Sequence, residues 1–469
     1  MAEEDDLIER DAPDAESEDD DRAYALEKRT VAAILAAVDE GDAAKLTELM
    51  EPLHQADIAD LLEQLKAYDR RRLIELYGPE FDGEILSELD EGIREEVLAF
   101  LPSHVLADAV REMDSDDVVD LLEDLDEPQQ EAILGALDES ERLVIEQALT
   151  YPEYSAGRLM QREVVIAPEH WTVGQAIDHM RSSDDLPDHF YHVILVDPRL
   201  HPVGQVSLGN IMRSRRDTGL MELTDDLFRA IPVDQYEGDV AYAFNQYHLI
   251  SAPVIDDDGR LVGVITMDDA MAVLDEEHEE DILRMAGVSD EASLSDTILE
   301  AAKGRATWLF VNLLTAILAS FVIDIFANSI NQLVALAVLM PIVASMGGNA
   351  GTQTMTVAVR ALATRDLTAQ NALRVIWREV AVGAFNGALF GTVMAAVVAV
   401  WFQVPMLAAV IGVAMFFTQV AAALGGILIP MALDKARIDP ALASGPFVTT
   451  VTDVVGFFAF LGLASWVLL

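Results

Sequence analysis

The last third of the chain carries five long apolar stretches: Ala306–Ala327, Gln332–Val359, Val375–Phe402, Pro405–Leu433 and Ala441–Leu469. A helix needs about 20 apolar residues to cross the hydrocarbon core of a bilayer, and each stretch supplies at least that. Backbone polar groups find no water in that layer, so a spanning segment must satisfy its hydrogen bonds within itself as a helix. The expectation over 301–469 is therefore a five-helix α-helical transmembrane domain. Its eight bases lie before the first stretch (Lys303, Arg305), between the second and third (Arg360, Arg365, Arg374, Arg378), or between the fourth and fifth (Lys435, Arg437). The positive-inside rule then predicts a multi-pass protein of the cell (inner) membrane with a cytoplasmic N-terminus and an outside C-terminus.

Near the middle of the fifth stretch stands one carboxylate, Asp453, flanked by Thr449, Thr450 and Thr452. A charge at that depth costs about 2.5–3.5 kcal/mol on insertion scales, so it belongs against the bundle interior or water. A structural Asp would pair with a buried base, and the cores of the apolar stretches hold none. An ion-path carboxylate is the favoured reading. The second stretch contains Pro341-Ile-Val-Ala-Ser-Met-Gly-Gly348-Asn349-Ala-Gly-Thr-Gln-Thr354. Close packing through small residues accounts for its glycines. The four amide and hydroxyl side chains fit better on a pore wall, where a loosened or broken helix is tolerated.

Residues 301–469 hold six acids and eight bases; of the chain's 82 acids and 30 bases, 76 and 22 are left for residues 1–300. This front part is a polyanion, which repels nucleic acid and attracts cations, although solubility or a salty cytoplasm would favour the same composition. No cysteine is present, which leaves oxygen ligands suited to hard cations. The start of the chain lacks the basic and apolar pattern of a secretory signal. Residues 1–22 read as a disordered acidic tail. Residues 23–150 read as an all-α superhelix domain, with Leu-rich blocks recurring at about 24 residues (57–78, 81–102, 105–125) and acids on the opposite, solvated face.

Over 151–274 the period changes to strand, turn, strand, helix start. The pattern runs from Val193 to Asn210 and again from Ala252 to Asp269, each copy after an amphipathic helix (Thr172–Arg181, Gly238–Tyr247). The tandem resembles a pair of CBS domains, an α/β regulatory module. That resemblance implies that Thr266 and Asp269 can contact the ribose of a nucleotide such as ATP; the first copy has Ser207 but Asn210. A structural module with an empty cleft is equally compatible with these residues. Residues 275–300 open on Asp275-Glu-Glu-His-Glu-Glu-Asp281, a candidate acidic connecting helix between sensor and pore.

Together with Asp439-Pro-Ala-Leu-Ala-Ser-Gly-Pro-Phe-Val-Thr-Thr-Val-Thr-Asp453 and the Pro341 motif, this domain order resembles the MgtE family of Mg²⁺ channels. The resemblance implies a homodimer in the lipid bilayer whose second and fifth segments line one pore. Asp453 would hold hydrated Mg²⁺ there, with Thr449, Gly348 and Asn349 nearby. It also implies that cytosolic Mg²⁺ closes the pore by bridging acids at Asp269, Glu277, Glu280, Asp281, Asp439 and, less closely matched, Asp120. Ala272, Gln246 and Gly445 depart from the family pattern, which bears on the number of gate ions and on finer selectivity. Competing classes are a transporter of Co²⁺ or Mn²⁺, an anion channel and a membrane-anchored nucleotide sensor. An embedded acid argues against anions, and a plain anchor needs no such acid. No phosphate loop, nucleophile elbow or paired-His motif points to an enzyme.

Overall fold

A computed structural model describes residues 26–469 apart from 124, 126, 136, 184–185, 188, 226–227, 290–291 and 293–297. The acidic tail expected over 1–22 lies outside the described residues. The chain forms two compact units, divided between Leu274 and Asp275.

The first unit opens with short helices, from Lys28–Glu40 to Glu139–Ala148. Their Leu, Ile and Val positions, spaced three and four apart, meet in one continuous core that includes Leu61, Leu62, Ile85, Leu86, Leu121 and Leu122. The 24-residue recurrence has a concrete counterpart. Arg70 donates to the carbonyls of Leu62 and Leu65 at 2.8 and 2.9 Å, covering the end of the preceding helix, Gln55–Gln64. Arg94 donates twice to the carbonyl of Leu89, at 3.3 and 3.2 Å. Gln130 repeats the first pattern on Leu122 and Leu125, at 2.7 and 3.0 Å. These side chains satisfy carbonyls that a helix end leaves open. Arg70 then pairs with Glu96, and Arg94 with Asp120 at 2.7 Å.

Two matching α/β layers follow. Strand β1 (Ile166–Pro168) lies parallel to β2 (His192–Val196), which is antiparallel to β3 (Pro202–Ser207). β4 (Ile231–Pro232), β5 (Ser251–Ile255) and β6 (Leu261–Thr266) repeat the arrangement. Leu195 faces Gly204 in one sheet as Val254 faces Gly263 in the other. Helices Val173–Ser182 and Glu237–Tyr247 fall within a residue of their expected bounds. The first is fixed by a capping box between Thr172 and Gln175.

The helix that closes the second copy runs from Met267 to Ala286, so the acidic run from Asp275 continues it and starts no new element. In the second unit the membrane helices are Ile298–Ile325, Ala335–Ala363, Ala372–Phe402, Pro405–Lys435 and Pro440–Val467. All five are long and apolar enough to span a bilayer. The fourth is the most enclosed, while among the described residues of the first only Ala319 is buried.

Two expectations are corrected. The second helix is unbroken through Pro341 and the glycines. In a membrane the carbonyl that proline frees can be satisfied by neighbouring groups, so the ladder continues past it. The third helix starts at Ala372, three residues before the expected Val375, which takes Arg374 from the loop into its first turn; Arg378 stands in the second.

Candidate cation pathway and acidic clusters

Glycines decide which way the second membrane helix faces. A Cβ at Gly347 would meet Thr418 Cγ2 at 2.7 Å, and one at Gly351 would meet Val448 Cγ1 at 2.7 Å and Thr452 Cγ2 at 3.1 Å. These two glycines are therefore packing residues that bring the fourth and fifth helices close. A Cβ at Gly348 meets nothing within 4 Å. Asn349, Thr352 and Gln353 are exposed on the surface of the chain. The motif thus divides: one side is packed, and the other presents amides and a hydroxyl.

On the fifth helix Thr452 is fully buried between those glycines and Thr418. Its hydroxyl donates to the carbonyl of Thr449 at 2.9 Å. Thr449 Oγ1 donates to the carbonyls of Gly445 and Pro446, at 3.0 and 3.1 Å. Thr450 donates to Pro446 as well, at 2.5 Å. Threonines in apolar surroundings turn back on their own helix in this way. Both the hydroxyl and the carbonyl of Thr449 are engaged, which makes it a weaker ion contact than its position suggested. Asp453 is half-buried. Among the described residues its carboxylate receives no hydrogen bond.

The acids expected to sense cations fall into two groups. In the first unit, Asp269 accepts from Thr266 Oγ1 at 2.5 Å and from its backbone N–H at 3.3 Å. The pair proposed for a ribose is thus tied up at the start of its own helix. Asp269 stands near Asp116 and Asp117, which sequence reasoning placed on a solvated face; the structure corrects this. Asp116 is buried, and burial followed by Asp269 pushes its carboxyl well above the ordinary range. Burial, then Asp269 and Asp114, pushes Asp117 up to about 7. Burial pushes Asp269 up to about 6, against the lowering effect of Thr266. The start of this helix is held by the segment before β1: Ser115 Oγ donates to Glu163 at 2.8 Å and accepts from the N–H of Arg162 at 2.8 Å. The only trace in the sequence is that Asp114-Ser-Asp-Asp117 puts acids where the helical period asks for a mixed face. Asp120 points outward to Arg94, with 60% of its side chain exposed.

In the second unit Asp439 caps the fifth membrane helix, accepting from the N–H of Ala441 at 2.7 Å and from Arg284 at 3.2 Å. Arg284 also holds Glu280 at 2.9 Å. Burial, then the charges of Asp439 and Glu277, raises the carboxyl of Asp281. Glu277, Glu280, Asp281 and Asp439 thus come together around one arginine. Among the described residues, no three His, Asp or Glu side chains converge into a ready-made metal cage. Sequence reasoning also passed over Glu379, which is buried in the third membrane helix.

Comparison with known proteins agrees with this layout. Residues 340–463 match the family model described as MgtE, divalent cation transporter; 53–154 match the MgtE intracellular N domain; 156–217 and 225–276 match CBS domains. The magnesium transporter MgtE of Enterococcus faecalis is 36% identical over 89% of this chain and 92% of its own length. That of Thermus thermophilus is 30% identical over 94% and 99%. Among solved structures, the cytosolic domain of the Mg²⁺ channel MgtE in complex with ATP is 28% identical, covering 52% of this chain and 99% of its own, with a TM-score of 0.48.

Proposed function

The chain belongs to the MgtE family of divalent cation transporters, and from that premise we propose that its membrane domain passes hydrated Mg²⁺ along a path governed by Asp453. The observation that carries the proposal is that half-buried carboxylate, which stands in the middle of a spanning helix without a hydrogen-bond donor among the described residues. Mg²⁺ sheds its water reluctantly, so a path selects it best as a hydrate touched by carboxylate and carbonyl oxygens. Such contacts hold the ion weakly enough to release it. The outward-facing Asn349, Thr352 and Gln353 would be costly against lipid. A homodimer that turns this face and Asp453 toward a shared axis removes that cost.

In the same reading cytosolic Mg²⁺ closes the path. It binds at the two acidic groups, Asp269 with its buried neighbours and Glu277, Glu280, Asp281 and Asp439 around Arg284. Closure follows only if the ion binds the closed arrangement more tightly than the open one. A nucleotide at the CBS pair would have to displace Asp269 from Thr266. The N-terminal domains then face the cytoplasm, in keeping with the basic residues at the second and third helices.

The test is Mg²⁺ flux into proteoliposomes. Asp453→Ala is expected to abolish flux, with the melting temperature close to that of the parent. Parent-like flux in that variant would overturn the assignment.

A further inference from the structure

The third membrane helix buries Glu379, Gly383, Gly387 and Gly391 at four-residue intervals, one stripe along a single side. The glycines press it onto the fourth helix. A Cβ at Gly383 would meet both Ala423 Cβ and the carbonyl of Gln419 at 2.8 Å, and one at Gly391 would meet the carbonyl of Gly412 at 2.6 Å. Beside Glu379 lies a half-open cleft of about 210 Å³, lined by Gln353, Thr354, Glu379, Asn386 and Gln419 together with apolar residues such as Val357 and Val382, with Arg378 at its edge.

Glu379 is 6% exposed and Gln419 2%. Gln419 gives one N–H to the carbonyl of Met346 at 3.2 Å, which anchors its amide and leaves the oxygen and a second N–H for the space beside Glu379. The Glu379 carboxylate lies 3.8 Å from Arg378 Nε, whose side chain is 72% exposed. Among the described residues it has no other partner. A carboxylate buried among carboxamide and hydroxyl oxygens is the donor set of a hard cation. Six waters at about 30 Å³ each amount to about 180 Å³, so the cleft has about the volume of an ion with its first hydration shell.

We propose that this cleft is a second station for a hydrated divalent cation, on the second, third and fourth helices, beside the polar strip of Asn349 to Gln353 and apart from Asp453. The station rests on the reading that the membrane domain carries divalent cations. One carboxylate, partly offset by Arg378, holds such an ion loosely, as a site on a conducting route requires.

The chain has no cysteine, so Val357→Cys, at a cleft-lining position 47% exposed, accepts a single nitroxide label on the full-length protein in lipid nanodiscs. The probe is Mn²⁺, read by its relaxation of the label. Saturable relaxation that Mg²⁺ competes away is expected. Glu379→Gln should weaken it at least tenfold, Glu379→Asp should recover most of it, and Asp453→Ala should leave it unchanged. Relaxation untouched by Glu379→Gln, displaced equally well by Na⁺, or lost with Asp453→Ala would overturn the station. The signal reports occupancy and not flux, so normal transport by Asp453→Ala would refute the pore assignment while leaving this result standing.

Discussion

Asp117 and Asp269 crowd together in a pocket that keeps protons longer than water would. The folded chain therefore holds protons on these groups that the unfolded chain releases from about pH 4 upward, so their effect is to lower stability as pH rises from about 4 to about 7. Each unit of displacement is worth about 1.4 kcal/mol, so Asp117 alone accounts for a few kcal/mol. In chelator, the melting temperature of the full-length protein should fall across that range, and Asp117→Asn should flatten the fall. An identical profile in the variant would count against the burial of this group. Asp453 was legible from sequence because an apolar run isolates it. Asp116 and Asp117 were not, because acids at helical spacing look solvated until Asp269, far along the sequence, is seen beside them.

At the scale of elements, the second membrane helix works as two faces. Gly351→Val should force the fifth helix outward, at a cost of about 1–3 kcal/mol for overpacking. Gly348→Ala should be neutral for stability, since open space awaits its methyl. Thermal melts in detergent would separate the two, and equal effects would show that the faces are wrongly assigned. The polar and small residues of this motif were visible in the sequence. Their division between packing and exposure was not, because it depends on where Thr418 and Thr452 come to lie. The expected break failed for a related reason: proline signals a lost hydrogen bond, yet packing against neighbours decides whether the helix parts. Glu379 escaped notice because it stands beside Arg378 near the edge of an apolar stretch, where an acid reads as solvated until the glycine side of the helix is seen packed against the fourth.

Across the whole molecule, charge is distributed so that an anionic front precedes a nearly neutral membrane part. If bound cations close the path, removing their ligands must shift the closed fraction. Replacing Glu277, Glu280 and Asp281 with Gln, Gln and Asn should raise the cytosolic Mg²⁺ needed for half-closure at least tenfold, about 1.4 kcal/mol of lost preference for the closed state. Patch recordings with unchanged inhibition would exclude this group as a sensor. Domain order and all five spans were readable from periodicity and length, which report local preference. The meeting of Asp439 with the acids near Arg284 was not, because it joins residues 155 positions apart.

The clasps made by Arg70, Arg94 and Gln130 have a mechanical consequence for the helical domain. Arg70 and Arg94 each tie the rung before them to the rung after, and Gln130 holds the rung before it, so strain applied at one rung is passed on between neighbours in small steps. A scaffold built like this bends as a ladder does, yielding a little at every joint.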